Sequence, residues 1–73
     1  MNPFDRAMPQ ISDLQALVAL SLDGTVSQAA QRLGMSQSSL SYALERMRKR
    51  FDDPLFVRVG NRMAPTPLAQ QLQ

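Results

Sequence analysis

Two short apolar stripes at helical spacing, separated by one glycine, constrain the fold of this chain more than any other feature. In the first stripe, apolar side chains recur at i, i+3, i+4 and i+7, at Val26, Ala29, Ala30 and Leu33. In the second they recur at i, i+4, i+7 and i+11, at Leu40, Leu44, Met47 and Phe51. Each stripe predicts an amphipathic helix. Because the stripes are so close in sequence, the two helices must pack against each other.

Three residues mark the ends of these two helices. Thr25 stands three positions before Gln28, the spacing of a capping box that satisfies free N–H groups at a helix start. Gly34 follows the first stripe where the chain must turn, because glycine reaches left-handed backbone angles without a Cβ clash. Ser36 is placed to cap the second helix. The stretch 25–44 therefore predicts a helix-turn-helix, a motif that places its second helix in the major groove of DNA.

The polar face of the second helix is the candidate reading surface. Opposite its apolar stripe stand Ser38, Tyr42, Glu45 and Lys49, with Gln37 and Ser41 beside them. Gln pairs bidentately with adenine, Ser donates or accepts at base edges and phosphates, and Tyr does either while packing on a thymine methyl. On an arbitrary amphipathic helix these residues would be ordinary solvated surface. Within a helix-turn-helix they are candidates for contacts with bases.

The composition removes most of what an enzyme needs. The chain has 73 residues, enough for one small domain near the lower limit for an independent core, and it contains no Cys and no His. This excludes disulfides, thiolate nucleophiles, Cys/His zinc sites and the commonest general base. Asp52 and Asp53 precede Pro54, which favours a turn over metal or acid–base chemistry. The three glycines are isolated and form no phosphate loop, so we expect no catalysis, no metal and no cofactor.

Positive charge is concentrated in the second half of the chain. The formal net charge is only +2, but the sequence pI is about 9.9. The basic residues of this half are Arg46, Arg48, Lys49, Arg50, Arg58 and Arg62. A basic cluster beside a reading helix is expected of phosphate binding, whereas a basic run alone is usually a solvated face. We expect part of the 46–50 cluster to face phosphates, Lys49 more directly than Arg46 or Arg50.

One further helix and an irregular arm precede the paired helices. Ser12 with Gln15 forms a second capping box, and an apolar stripe predicts a helix over about 12–22 that ends at Gly24. The stripe consists of Leu14, Leu17, Val18 and Leu22. Residues 1–10 lack periodicity, so we predict a flexible arm, either a frayed terminus or one that reaches into a minor groove. No stretch is apolar enough for a signal peptide or a membrane span, which predicts a cytoplasmic protein.

A short β-hairpin is predicted after the helices. Pro54 stops the helix, residues 55–58 are rich in β formers, Gly60 and Asn61 turn the chain, and residues 62–64 return as a partner strand. A hairpin behind a helix-turn-helix is a wing, which lies along the DNA backbone or enters the minor groove. Candidate contacts in the wing are Arg58, Asn61 and Arg62, whose alternative role is to keep the hairpin soluble. The predicted fold class is mainly α, a winged helix-turn-helix with a three-helix core.

A last helix begins near the end of the sequence. Thr66 is placed as its N-cap and Pro67 as its first residue, a favoured position for proline. The sequence ends at Gln73 after barely two turns and with no C-cap, so we expect this helix to be cut short. We assign residues 11–64 to the winged domain and residues 65–73 to the start of the truncated helix.

Motifs in a fixed order along residues 11–73 resemble the N-terminal domain of LysR-type transcriptional regulators of bacteria. They are Ala29-Ala30, Leu33, Ser36-Gln37, Leu40-Ser41, the basic stretch 46–50, Pro54-Leu55-Phe56-Val57-Arg58 and Pro65-Thr66-Pro67. Each motif is weak alone, but their order and spacing make a specific combination. The resemblance implies a winged helix-turn-helix followed by a long linker helix through which two subunits pair. It also implies a larger effector-binding domain that this sequence lacks.

The resemblance also implies which residues meet DNA. The reading helix of the family supplies the residues after the turn, and the start of the preceding helix, including Val26, lies near phosphates. Together with the basic residues, this gives as candidate DNA-binding residues Thr25, Ser27, Ser36, Gln37, Ser38, Ser41, Tyr42, Lys49, Arg58 and Arg62. Ser38 stands where the family often has proline, and Tyr42 where a long polar residue is common. The family's base preferences therefore do not transfer to these two positions.

The sequence predicts sequence-specific binding of double-stranded DNA as part of a bacterial transcriptional regulator. In the full-length protein, a homodimer would read inverted half-sites about 34 Å apart, and a small-molecule inducer would bind the missing C-terminal domain. For this short chain we expect weak pairing, with a monomer as the alternative. A winged-helix module for protein association is the alternative function. A sequence-tolerant RNA binder is disfavoured, because the chain has three Phe and one Tyr and two of the Phe are predicted to be buried.

Overall fold

Four helices and one two-stranded hairpin make up residues 11–73, the part of the chain that the computed structural model describes. In chain order the elements are α1 (Ile11–Asp23), α2 (Val26–Leu33), α3 (Gln37–Phe51), β1 (Phe56–Val59), β2 (Arg62–Pro65) and α4 (Pro67–Leu72). The predicted winged helix-turn-helix with its three-helix core is confirmed. The predicted arm at 1–10 lies outside the described residues.

One apolar core holds these elements together. Its buried side chains are Ala16, Leu17, Ala19 and Leu20 of α1, Ala29 and Ala30 of α2, Leu40, Leu44 and Met47 of α3, Leu55, Phe56 of β1 and Ala69 of α4. Alanine dominates where α1 meets α2, so the two helix backbones pack closely. The longer buried side chains of α3 complete the core against α1 and α2. The apolar stripe predicted for α3 is therefore its core face, with Phe51 partly buried at its end.

The buried face of α1 differs from the predicted stripe. Val18 and Leu22 were predicted to face the core, but they are 41% and 61% exposed, while Ala16 and Leu20 are buried. Val18 and Leu22 are four residues apart and share one face of α1, and that face is not the one on which Leu17 and Leu20 enter the core. The capping box predicted at Ser12 is also wrong, since the backbone is already helical at the preceding residue.

The hairpin is antiparallel, and its register fixes the wing. Phe56 pairs with Pro65 and Val59 with Arg62, with Gly60 at φ 63° in the turn between the strands. The Met63 N–H donates to a carbonyl in the turn between α1 and α2 at 2.8 Å, which fastens β2 to the helical core. The wing therefore does not depend on its own short ladder for stability.

Asp53 joins the end of α3 to the start of α4. Its Oδ2 accepts from the Leu55 N–H at 2.8 Å and from the Thr66 hydroxyl at 2.7 Å. Thr66 in turn caps α4 by accepting from the Ala69 N–H at 3.2 Å, and Pro67 takes the first helical position as predicted. Within residues 11–73, no helix combines the length and the apolar character needed to cross a bilayer.

Candidate nucleic-acid interface

The two helices α2 and α3 and the turn between them are set by local hydrogen bonds that the sequence predicts. Thr25 caps α2 by accepting from the Gln28 N–H at 3.2 Å. Gly34 has φ 69° and donates its N–H back into the last turn of α2. Ser36 caps α3 by accepting from the Ser39 N–H at 3.1 Å. Because both helices start at a fixed residue, α3 projects from the core at a defined position.

The first two turns of α3 expose five polar side chains, of which Ser39 is bonded to the Ser36 cap. The other four form the candidate surface for DNA. We call them the reading face: Gln37, Ser38, Ser41 and Tyr42. Tyr42 is 71% exposed, although it is the largest side chain of the four. The opposite side of the same turns is buried through Leu40 and Leu44. The reading face is therefore held rigidly from behind and is open in front.

The reading face is connected to α2 through Gln37. Its Nε2 donates to the Oγ of Ser27, an exposed residue in the first turn of α2, at 3.2 Å. The structure thus brings together two residues that the sequence proposed separately. Thr25 and Ser36, by contrast, use their hydroxyl oxygens as helix caps, and the Ser36 hydroxyl also donates to the Ser39 Oγ at 2.9 Å. The Ser36 hydroxyl thus both accepts and donates, whereas the cap bond of Thr25 uses only its hydroxyl oxygen.

Asp13 of α1 supports the candidate interface from behind, and the sequence analysis missed it. Its carboxylate is buried, accepts from Arg46 at 3.2 Å and lies 3.7 Å from an Arg50 nitrogen. Arg46 and Arg50 of the basic cluster thus pair with this carboxylate and tie α1 to α3. The available signal was a carboxylate at a core position of α1, four residues before Leu17.

Arg48 and Lys49, the neighbours in this cluster, have opposite roles. Arg48 donates to the carbonyl oxygens of Pro54 at 2.7 Å and Phe56 at 3.1 Å. It also pairs with Glu45 one turn earlier. Lys49 is exposed and has no ion pair with any residue in 11–73. Its ammonium group is therefore available to a phosphate, whereas the Arg48 guanidinium fixes the loop between α3 and the wing.

The two wing arginines lie in different surroundings. Arg58 is exposed on β1 and has no ion pair within the described part of the chain. The Arg62 guanidinium lies against Gly24, where a Cβ would come within 2.6 to 2.8 Å of its atoms. Gly24 has φ 75°, so its backbone favours glycine, whereas the flexible end of Arg62 could move to make room for a Cβ. Arg62 is consequently placed at the start of α2, beside the helix-turn-helix.

Arg32 is paired with Asp23, a carboxylate that also lies near Arg62. Asp23 receives a bidentate bond from Arg32, with N···O distances of 2.8 and 2.9 Å. This bond, together with the charges of Arg32 and Arg62, lowers the pKa of Asp23. The same bond raises the pKa of Arg32. Both members of this ion pair therefore stay ionised. The Asp23 carboxylate offsets the charge of Arg32, so Arg32 contributes little attraction for a phosphate.

Comparisons with known proteins agree with this architecture. Residues 11–70 match the model of the family described as bacterial regulatory helix-turn-helix protein, lysR family. The chain is 50% identical over 62 residues to the HTH-type transcriptional regulator SyrM 1 of Sinorhizobium fredii, covering 85% of this chain and 18% of that protein. It is 46% identical over 63 residues to the HTH-type transcriptional activator NahR of Pseudomonas putida, covering 82% and 21%. The crystal structure of a probable transcriptional regulator from Pseudomonas aeruginosa has a TM-score of 0.82 and 41% identity, covering 97% of this chain and 24% of that one.

Fold and exposed face together define a winged helix-turn-helix domain of the DNA-binding class. The chain belongs to the LysR family of bacterial regulatory proteins. The family model and these relatives support DNA binding by the domain, whereas protein association as the main function is not favoured. The chain spans about a fifth of the length of the curated relatives described above.

Proposed function

We propose that this chain binds duplex DNA sequence-specifically by inserting the front of α3 into the major groove. The observation that carries the proposal is the reading face, four exposed polar side chains at the start of a helix whose other side is buried. An α-helix fits the major groove, and each base pair presents a distinct pattern of donors and acceptors there. Membership of the family supports the same geometry.

The remaining candidate residues anchor the domain on the phosphate backbone. Lys49, Arg58 and Arg62 provide the positive charge, with Arg58 on the wing beside the backbone or in the minor groove. Thr25 and Ser27 lie at the start of α2, where a helix N-terminus attracts a phosphate. Ser36 contributes by fixing the first residue of α3, since its hydroxyl is already engaged as a cap.

The longer protein, in this proposal, acts as a homodimer in the cytoplasm and has no catalytic activity. Two domains related by twofold symmetry would read inverted half-sites about 34 Å apart, one helical turn of DNA. A small-molecule inducer would bind beyond this chain, in the part of the relatives that it does not cover. The short chain itself pairs weakly or stays monomeric.

Substituting one reading-face residue and one wing residue tests the proposal. Tyr42→Ala is expected to reduce discrimination between a selected site and random DNA by about 1–3 kcal/mol, because a base contact is lost. Arg58→Ala is expected to weaken binding to both duplexes alike, because a phosphate carries no sequence information. Both affinities are measured by fluorescence anisotropy at one fixed salt concentration.

Tyr42→Phe is the matched control, since it keeps the ring and removes only the hydroxyl. If the ring packs on a thymine methyl, Tyr42→Phe keeps most of the discrimination between the two duplexes. If the hydroxyl bonds to a base edge, Tyr42→Phe loses that discrimination. An unchanged ratio of the two affinities in both Tyr42→Ala and Gln37→Ala would contradict the proposed reading face.

A further inference from the structure

The contact between Gln37 and Ser27 restricts which base the reading face can recognise. Ser27 lies in the first turn of α2 and Gln37 is the first residue of α3, and both are exposed. The Gln37 Nε2 donates to the Ser27 Oγ at 3.2 Å. This is a side-chain hydrogen bond across the helix-turn-helix, on the side proposed to face DNA.

Counting donors and acceptors shows what Gln37 has left to offer. A carboxamide has two N–H donors on Nε2 and one acceptor oxygen. The bond to Ser27 uses one N–H, so the amide retains one donor and one acceptor. In the major groove, adenine presents one donor at N6 and one acceptor at N7. Guanine presents only acceptors, cytosine only a donor, and thymine an acceptor and a methyl group.

We propose that Ser27 positions the Gln37 amide so that it reads one adenine in each half-site. The inference rests on the proposed insertion of α3 into the major groove. Gln37 Oε1 accepts from adenine N6, and its remaining N–H donates to adenine N7. Ser27 is a positioning residue in this arrangement, because it acts on the base through Gln37.

The Ser27 hydroxyl also connects the base contact to the DNA backbone. Its oxygen accepts from Gln37, so its own proton remains available to a phosphate oxygen at the start of α2. One hydrogen-bonded chain then runs from phosphate through Ser27 and Gln37 to the base. A glutamine side chain has considerable rotational freedom, and a bond already made in the free protein reduces the entropy lost on binding.

The experiment selects bound sites from a pool of random duplexes with the 73-residue chain and with four variants. The variants are Gln37→Ala, Ser27→Ala, the double variant, and Gln31→Ala as control. Gln31 is exposed on the next turn of α2, and its side chain makes no hydrogen bond to α3 within residues 11–73. Circular dichroism and thermal melting of each variant establish that it is folded.

The expected result is a change at one base position. The wild-type site contains an adenine whose preference disappears in Gln37→Ala and is reduced in Ser27→Ala, while the other positions keep theirs. The double variant resembles Gln37→Ala at that position, because Ser27 acts there only through Gln37. Gln31→Ala retains the adenine preference at full strength.

Modified bases identify the two bonds to adenine. Replacing that adenine with 7-deazaadenine removes the N7 acceptor, and replacing it with purine removes the N6 donor. For the wild-type chain, each replacement is expected to weaken binding by about threefold or more, as the loss of one bond of a bidentate pair. Gln37→Ala is expected to respond to neither replacement.

Two results would overturn this inference while the proposed function stands. One is a selected site in which Gln37→Ala changes a position occupied by another base. The other is an adenine preference that Ser27→Ala leaves at full strength. If the wild-type chain selects no consensus at all, the proposed function fails and the inference fails with it.

Discussion

Single residues set the position of the reading helix, and Gly34 is the clearest case. It adopts φ 69° between α2 and α3, and a Cβ added there would meet no atom within 4 Å. A side chain at this position would therefore strain the backbone but would not overlap any neighbouring atom. Thr25 and Ser36 act at the same scale, each accepting one N–H at a helix start. The helix-turn-helix depends on these local choices.

Gly34→Ala is expected to lower the free energy of unfolding by about 1–2 kcal/mol, the cost of a left-handed backbone for a residue with a Cβ. Urea denaturation followed by circular dichroism measures the change. Gly34→Asn is the control and should lose less, because asparagine tolerates left-handed angles. Equal stability of all three proteins would show that the turn relaxes to another conformation.

Residue-scale features were the part of the structure that the sequence predicted best. The caps at Thr25, Ser36 and Thr66 and the turn at Gly34 are confirmed, because each depends on neighbours a few positions away. The capping box at Ser12 was wrong because the same local pattern lies inside α1. A capping motif indicates a helix start only if the preceding residue is not helical.

At the scale of elements, α1 and α3 are joined by charge as well as by apolar packing. Asp13 has 2% of its side chain exposed, while its partner Arg46 is 53% exposed. A buried carboxylate needs partners, because burying an unpaired charge is costly. Arg50 contributes the second partner and also lies over the Phe51 ring, 5.7 Å from its centroid. The ion pairs of Asp13 with Arg46 and Arg50 hold α3 against α1.

Asp13→Asn is expected to lower the free energy of unfolding by about 1.5–3 kcal/mol, the contribution of a hydrogen bond to a charged partner. Arg46 can turn to solvent in the variant, which limits the loss. Asp52→Asn makes the same chemical change at an exposed C-cap with φ 50°, which asparagine tolerates, and it should cost little. If the two substitutions cost the same, the tie between α1 and α3 carries no special weight.

Contacts between elements were harder to predict from the sequence than the elements themselves. The positions of α2, α3 and the hairpin follow from periodicity and turn residues. Which face of α1 is buried depends on the shape of α2, so the outward turn of Val18 and Leu22 had no local signal. The pairing of Asp13 with Arg46 joins residues 33 positions apart, which no helical spacing describes. The reading face was predictable because it lies opposite the buried apolar stripe of α3, which helical spacing alone locates.

At the scale of the whole molecule, few of the basic residues in 11–73 are available to DNA. The chain has eight Lys and Arg residues. Four arginines at 32, 46, 48 and 50 have carboxylate partners within the described residues. Among residues 11–73, the available charge is therefore Lys49 and the two wing arginines, on and beside the helix-turn-helix, while Arg6 lies outside the described residues. We therefore expect these residues to make only a small number of phosphate contacts.

We expect the affinity of one domain for DNA to fall with salt at a slope of about −2 to −3 on a log–log plot, since each phosphate contact contributes about −0.9. Arg58→Ala should reduce the magnitude of the slope by about 1. Arg32→Ala removes an arginine that is already paired with Asp23 and should leave the slope unchanged. Equal effects of the two substitutions would mean that net charge, and not the placement of charge, governs binding.

Mapping of backbone amide chemical shifts on addition of a selected duplex tests the central claim most directly. If the front of α3 enters the major groove, the largest changes fall on residues 25–27 and 37–42, with a second group around Arg58 on the wing. The exposed side of α1 at Val18 and Leu22 lies outside the proposed interface and should change little. Largest changes on that side of α1, with residues 37–42 unaffected, would contradict the account.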